Sequence, residues 1–470
     1  MSYDLAVIGA GPAGMSAASV AGALGLEVVV LDEQAREGGQ IYRNVDVASE
    51  AVKALLGPDY AAGRGLVHRL RQTGVELRSG ALVWDVATDR TVSLLSAGRS
   101  EQVRARHVLV ATGAMERPSP VPGWTLPGVM NAGAAQIALK SGPSVPAGRV
   151  VLAGTGPLLL LVACQLLAAG TRVTALIETG PHDNLMLALR RLPGALRAPA
   201  PLWKGLRLLA RLRASGVAWY RHASALAIEG DAGVRGVTFS HRGERHALPA
   251  DMVLLHHGVV PNTQLTRLLR LEHTWSDAQL AWHPIRDGWG ATSLDGIWIA
   301  GDGAGIDGAR AAEASGALAA LGVAGALGRI GADERDRLAR RWQRQLERER
   351  AVRPFLDALY RPPRWIGSPP DAVLACRCEE VSAGRIREMA RLGCVGPNQT
   401  KFFSRCGMGP CQGRLCGLTV TQILAEAHGT SPDGVGAYRV RAPIKPIPLH
   451  SLAGMDRESR KMSNHGEFSE

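Results

Sequence analysis

The chain has 470 residues, 46% of them hydrophobic and only 4% aromatic, with 56 glycines; that is enough length for two to four domains and suits close-packed α/β layers. Net charge is +12, and only six of the 54 basic residues are Lys. No helix-turn-helix, zinc-finger spacing or aromatic-interleaved basic stripe accompanies the charge, which excludes the usual nucleic-acid modules and leaves solvated helical faces or a surface for an acidic partner.

Tyr3–Ile8 reads as a buried strand, Gly9–Gly14 as a turn, Met15–Leu24 as a small-residue helix and Glu27–Leu31 as a second strand, together a βαβ unit. No signal peptide precedes this strand, so a cytoplasmic chain is expected. A second unit spans Arg149–Ile177. Its apolar run Val150–Gly170 is broken by Gly154, Gly156 and Pro157 and reads as strand, turn and helix, so no transmembrane segment is expected. Gly296–Ala300 is a further buried strand and Gly308–Leu327 a helix. Residues 331–350 form a charged helix with little apolar stripe, solvated or bridging. Tyr360–Pro370 holds four prolines and reads as a linker. A cysteine-rich segment follows from Asp371 to His428. The end is Pro-rich over Arg441–Pro448 and disordered from about Arg457.

Gly9-Ala10-Gly11-Pro12-Ala13-Gly14 stands between strand and helix as a dinucleotide fingerprint should. Gly9 permits the tight turn, Gly11 lets backbone approach a pyrophosphate, and Gly14 lets the helix pack on the strand. The helix N-terminus offers free N–H groups to phosphate. Asp32 and Glu33 end the second strand, where an acidic residue meets ribose hydroxyls. Three further segments point to a flavin dinucleotide: Gly38-Gly39-Gln40, Ala111-Thr112-Gly113-Ala114 after strand Val108–Val110, and Gly301-Asp302-Gly303 after strand Gly296–Ala300. In this order they resemble the two-dinucleotide-domain, disulfide-reductase-like flavoproteins over roughly residues 1–330. The resemblance implies FAD, with Asp302 at its ribityl chain.

Gly154-Thr155-Gly156-Pro157-Leu158-Leu159 repeats the fingerprint with Leu159 in place of the third glycine. That bulk is expected to push helix from strand and to degrade NAD(P)H binding. Glu178 remains placed for a ribose. Gly258–Asn262 resembles the segment that closes this domain in reductases. His256 and His257 read as a strand end, and no acid–base pair is placed to serve as catalytic residues. Cys164 stands alone on its helix, so disulfide-reductase chemistry is not expected.

Six of the seven cysteines fall late: Cys376, Cys378, Cys394, Cys406, Cys411 and Cys416. Clustering of this kind suits metal ligation in a reducing compartment. Four thiolates suit a [2Fe-2S] cluster or zinc. The Cys-x-Cys followed by a later pair resembles bacterioferritin-associated-ferredoxin-like [2Fe-2S] domains. Cys378 to Cys411 leaves 32 intervening residues and Cys378 to Cys406 leaves 27; the first suits that family. The resemblance therefore implies Cys376, Cys378, Cys411 and Cys416 as ligands, with Cys406 the rival of Cys416 and Cys394 a bystander. Gly407, Gly409, Gly413 and Gly417 are expected to let backbone N–H groups reach the cluster.

The whole chain resembles the alpha (A) subunits of heteromeric amino-acid dehydrogenases: opine oxidase, D-hydroxyproline dehydrogenase, dye-linked proline dehydrogenase and hydrogen cyanide synthase. Its telling stretches are GGQIYR at 38–43, GWTLPGVM at 123–130, GTGPLLLL at 154–161, CRCEEV at 376–381, CGMGPCQGRLC at 406–416 and PIKP at 443–446. The resemblance implies a D-amino-acid-oxidase-like beta subunit that oxidises substrate, with a small ferredoxin-like subunit, then a quinone, as further carriers. Peripheral membrane association through that acceptor follows from the same resemblance. It also implies FMN at a subunit interface or an adenine nucleotide in the second domain. The rival reading is a self-sufficient NAD(P)H-dependent reductase. The expected plan is an FAD-binding domain (1–124 and 284–330), a degenerate NAD(P)-type domain (125–283), a helix and linker (331–370), a [2Fe-2S] domain (371–428) and a tail (429–470).

Overall fold

A computed structural model describes residues 2–142, 144–453 and 455. The disorder expected from Arg457 lies outside the described residues.

Two parallel sheets organise the body. The first places strands in the order Glu76–Ser79, Val28–Asp32, Ser2–Ile8, Arg99–Val110, with Ile297–Ile299 joined to the far end of the long strand. Thr91–Ser96 and Leu82–Val86 extend it as an antiparallel hairpin on the near end of Arg99–Val110. Burial on both faces explains the unbroken Val/Leu runs of the central strands. The first helix starts at Pro12, three residues earlier than expected, because proline is already shaped for the first helical position. Its small residues let Ala309–Ala326 lie close: a Cβ on Gly316 would stand 2.1 Å from the Ala13 carbonyl oxygen.

The second sheet is fully parallel, in the order Ala218–Tyr220, Val173–Glu178, Val150–Gly154, Met252–His256, Val129–Asn131. A three-stranded antiparallel sheet, Ser224–Gly230, Val234–His241 and Glu244–Pro249, packs beside it around Phe239 and Ile228.

Three expectations change. The charged helix, Ala332–Ala351, does pack: Ala339 and Leu346, one heptad apart, bury against Leu318 and Leu321, with Trp342 alongside. The Pro-rich linker is pinned by Ile366, buried in the core of the second domain. The tail is no appendage to a domain ending at His428. Val435 and Tyr438 are core residues of the cysteine module, Val440 and Ile444 bury against the first sheet, and the Ile444 amide donates to the Trp84 carbonyl at 2.9 Å. Alternating apolar residues in a Pro-rich stretch were enough to dock it.

One region packs with its large apolar residues outward. Around helices Asp183–Leu189, Leu192–Ala195 and Pro199–Ala214, the small residues Ala188, Ala195 and Ala198 face inward, with Leu208 and Leu212 of the last helix. Leu185, Met186, Leu187, Leu196, Trp203 and Leu206 are 44–63% exposed. Exposed Arg190, Arg191, Arg197 and Arg211 of the same segment make no ion pair among the described residues. No helix of the described residues is long and apolar enough to cross a membrane.

Candidate functional site

The four glycine-rich segments converge at the carboxyl ends of the first sheet's parallel strands, where open α/β sheets bind ligands. Gly9 holds φ +105°, and a Cβ there would stand 2.6 Å from the Ala111 carbonyl oxygen. A Cβ on Gly14 would stand 1.8 Å from the Gly9 oxygen, and one on Gly39 2.8 Å from the Gly11 Cα. Gly301 abuts Ala13, and Gly303 abuts Gly113. The helix beginning at Pro12 has no side-chain cap, so its first N–H groups are free for an anion. Bare backbone, an uncapped helix and close loops fit a flavin dinucleotide with its pyrophosphate on Gly11–Gly14.

The acidic residues are more committed than spacing suggested. Asp32 is buried and accepts from the Ala10 amide at 2.5 Å and the Gln34 amide at 2.7 Å, so it braces the glycine turn. Burial raises its pKa, against those two amides and the cations of Arg43 and Lys445. Glu33 is exposed and paired with Lys445 from the tail. Asp302 accepts from the amides of Asp307 (3.0 Å) and Gly308 (2.9 Å), leading the chain into the helix Ala309–Ala326; burial raises its pKa. Thr112 donates to the Asn262 carbonyl at 3.3 Å, and the Asn262 amide to the Gly113 carbonyl at 3.0 Å.

Sequence reasoning missed Lys140. Its ammonium is buried, donates to the carbonyl of Gln40 at 2.9 Å and to Gln136 at 3.0 Å, and burial lowers its pKa to about 7. Gln136 donates on to Gln165, and Gln165 to the Leu56 carbonyl. This chain ties the Gly38–Gln40 loop to the second domain. Arg117 was missed as well. It is buried, donates to the carbonyls of His257, Gln279 and Leu280, and burial lowers its pKa to about 10. Nothing local marks either residue.

In the second domain Leu159 is wholly buried among Leu152, Leu160 and Leu176, so the helix–strand contact is filled by a side chain rather than closed by glycine. Glu178 accepts from the Trp219 indole at 2.9 Å and pairs with Arg221, which occupies the carboxylate expected at a ribose. The His256 ring packs under Gly156, and its Nδ1 lies 2.7 Å from Glu116. His257 is fully buried between Ser119 (2.8 Å) and Thr179 (3.1 Å), and burial holds it neutral with a pKa of about 3.

The cysteine module gathers five of its six thiols. The Sγ atoms of Cys376, Cys406 and Cys416 lie within 4.8 Å of one another. Cys378, exposed, faces Cys411. Cys394 is buried elsewhere, its carbonyl accepting from His428. Thiols of Cys406 and Cys416 directed at Cys376 hold its pKa down to about 2, with further help from the Gly407 and Glu379 amides. The same contact pushes Cys406 up to about 12 and Cys416 well above the usual thiol value. The Tyr438 hydroxyl is buried, faces Cys406 and has no hydrogen-bond partner among the described residues. Two facing sets of thiols beside an unsatisfied donor fit a [2Fe-2S] cluster, whose sulfurs accept such bonds.

Gly407 does bring its amide to Cys376, as expected, but the glycines here also serve a second purpose. Cβ atoms on Gly407, Gly413 and Gly417 would meet the Tyr438 ring at 2.6, 2.4 and 3.4 Å. They make room for that ring, and only Gly409 makes room for a cysteine, Cys378.

Comparison with known proteins agrees with this geometry. Residues 3–316 match the pyridine nucleotide-disulphide oxidoreductase family, and residues 378–455 match the sarcosine oxidase A3 domain, which takes in the docked tail. The A subunit of opine oxidase from Rhizobium meliloti is 47% identical over 96% of this chain and 99% of its own length. The HcnB subunit of hydrogen cyanide synthase from Pseudomonas aeruginosa is 33% identical over 98% of this chain and 100% of its own. L-Proline dehydrogenase from P. horikoshii shares the fold, with a TM-score of 0.71 and 18% identity over 96% of this chain and 79% of that one. The chain belongs to the family of opine oxidase A subunits, flavin oxidoreductases on the pyridine nucleotide-disulphide oxidoreductase fold that carry FAD and a [2Fe-2S] cluster.

Proposed function

We propose that this chain is the electron-transferring subunit of a heteromeric dehydrogenase that oxidises an amino or imino acid of the opine, D-hydroxyproline, proline or glycine class. Its electrons come from a D-amino-acid-oxidase-like partner, and they leave toward a small ferredoxin-like carrier or a quinone that keeps the complex peripheral to a membrane. FAD and the cluster, when bound, supply two-electron and one-electron chemistry. In this reading Gly9, Gly11, Pro12, Ala13, Gly14, Glu33, Gly39, Gln40, Ala111, Thr112, Gly113, Gly301 and Asp302 position the flavin, with Asp32 fixing the turn. Cys376, Cys378, Cys411 and Cys416 hold the irons.

The observation that carries the proposal is a short path between the two sites. Gly113 pairs with Asn262, and two residues on, Gln264 donates its side-chain amide to the Cys411 carbonyl at 3.0 Å. A flavin-site turn and a cluster loop are thus held by neighbouring residues of one segment. Cys378, on the exposed side of the cysteine module, gives a second carrier its approach.

The test is an anaerobic titration of the purified chain, followed by visible absorbance. Under this proposal NADH leaves the flavin and cluster bands in place, dithionite bleaches them, and substrate bleaches them only when the partner is present. Bleaching by NADH alone would establish the rival reductase, which the buried Leu159 and the committed Glu178 oppose.

A further inference from the structure

Residues 183–214 carry seven Arg or Lys and one acid, Asp183, a net +6 that is half of the chain's +12. The same stretch turns large apolar side chains outward. Its first helix, Asp183–Leu189, is inverted: Asn184 and Ala188, one turn apart, are buried, while Leu185, Met186, Leu187 and Leu189 are exposed. Asn184 is held inside by donating to the carbonyls of Leu359 (3.2 Å) and Arg361 (2.9 Å). A helix on the surface of a globular protein does the reverse, apolar stripe inward and polar face to water.

The rest of the stretch continues the pattern. Ala195 and Ala198 pack with Val352, Leu202 and Phe355 and hold the chain down, leaving Leu196 exposed beside exposed Arg197. In helix Pro199–Ala214, Leu208 and Leu212 face inward, and Trp203 and Leu206 are exposed. The Arg207 guanidinium lies over the Trp203 ring at 5.6 Å. Lys204 pairs with Asp59, but Arg190, Arg191, Arg197 and Arg211 make no ion pair among the described residues. From Leu187 to Leu206 every outward apolar residue lies within three positions of a cation. A protein interface segregates an apolar centre from a charged rim. Leucines interleaved with cations of one sign, with an indole among them, instead match the boundary between anionic headgroups and acyl chains. Arginine stems lie along apolar surface there while their guanidinium heads meet lipid phosphates.

We propose that residues 183–214 are the face on which this chain lies against an anionic lipid bilayer, with Met186, Leu196, Trp203 and Leu206 entering the headgroup–acyl boundary and the arginines at lipid phosphates. This role rests on the reading of a complex peripheral to a membrane, and makes this chain, and not its electron acceptor alone, the part that touches lipid. The contact is interfacial: the segment is anchored to the fold by its own inward residues, and no helix of the described residues is long and apolar enough to cross. A membrane-resident quinone is then met at the bilayer surface rather than from free solution.

The experiment is co-sedimentation of the purified full chain with sucrose-loaded vesicles, of phosphatidylcholine alone and of phosphatidylcholine mixed with phosphatidylglycerol. The chain should sediment with the mixed vesicles and stay in solution with the neutral ones. Removing two cations as Arg190→Gln with Arg191→Gln should weaken partitioning by roughly 25-fold, about fivefold for each cation near an anionic surface. Brominated lipid should quench part of the wild-type tryptophan fluorescence, and Trp203→Ser with Leu206→Ser should abolish that quenching. All four side chains are exposed, so flavin and iron content should stay at wild-type levels. Sedimentation with neither vesicle, or unaltered binding in both variants, would overturn the proposal. So would variants that bind vesicles like wild type yet no longer copurify with the D-amino-acid-oxidase-like subunit, which would make the face a subunit interface. The vesicles contain no quinone, so failure here is distinct from failure of the electron-transfer reading, which the NADH and dithionite titration decides.

Discussion

Gln264 and Cys411 are 147 residues apart in sequence and joined by one hydrogen bond of 3.0 Å, from the buried side-chain amide of the first to the main-chain carbonyl of the second. Gln264→Ala should leave FAD and the cluster bound yet loosen the cysteine module on the flavoprotein body. The Cys411 carbonyl keeps the Arg414 amide at 3.0 Å, so the loss is that of one hydrogen bond, about 0.5–1.5 kcal/mol. Stopped-flow reduction by substrate and partner should show the cluster lagging the flavin more than in wild type. Unchanged rates with a destabilised fold would mean that the contact is only structural.

Gly14 has no space for a single carbon, with the Gly9 oxygen 1.8 Å from its would-be Cβ. Gly14→Val should push the first helix from its strand and deform the turn beneath the pyrophosphate. Overpacking of this kind costs about 1–3 kcal/mol. The purified variant should lack flavin absorbance while retaining the iron content of the C-terminal module.

Lys140 makes a pH prediction. Its folded pKa is near 7, against about 10.4 unfolded. Between those values the unfolded chain binds more protons, so this residue makes stability rise with pH across that window. The stability is fully present above about pH 10 and lost as pH falls through 7. A gap of about 3 units is worth at most about 4 kcal/mol at 1.36 kcal/mol per unit. Lys140→Met should flatten that part of the stability–pH curve, as measured by denaturant unfolding at pH 7 and pH 9.5. An unaltered curve would show that the ammonium is solvated in the fold.

The tail carries the fourth prediction. Ile444 is buried against the first sheet, with its amide on the Trp84 carbonyl. Ile444→Ala should cost about 2–5 kcal/mol. Truncation after His428 also removes Tyr438 from the cysteine core and should abolish cluster assembly. Iron content of the two variants checks both.

What the sequence showed and what it hid divide by range. The glycine turns at 9–14, 111–113 and 301–303 are legible as short patterns at strand ends, although apart from Gly14 on Gly9 the approaches they permit are long-range, Gly9 on Ala111 and Gly301 on Ala13. The Cys-x-Cys announced metal chemistry for the same reason. Lys140, Arg117 and Tyr438 act across more than 20 residues of sequence, and no local pattern marks them. The glycines of the cysteine loop were read by proximity to cysteines, although the ring they accommodate arrives from a segment taken for tail. Asp32 shows the limit of a spacing argument: the residue stands where an acid belongs, but its oxygens are spent on Ala10 and Gln34.

The outward Leu, Met and Trp side chains of residues 183–214 have a consequence for handling the protein. The unpaired arginines among them keep like-charged copies apart at low ionic strength. At 1 M salt the screening length falls to about 3 Å, against about 10 Å at 0.1 M. Repulsion then fails while apolar adhesion does not. Light scattering of the isolated chain should therefore rise with added salt, the reverse of ordinary salting-in, and a high-salt purification step should favour self-association.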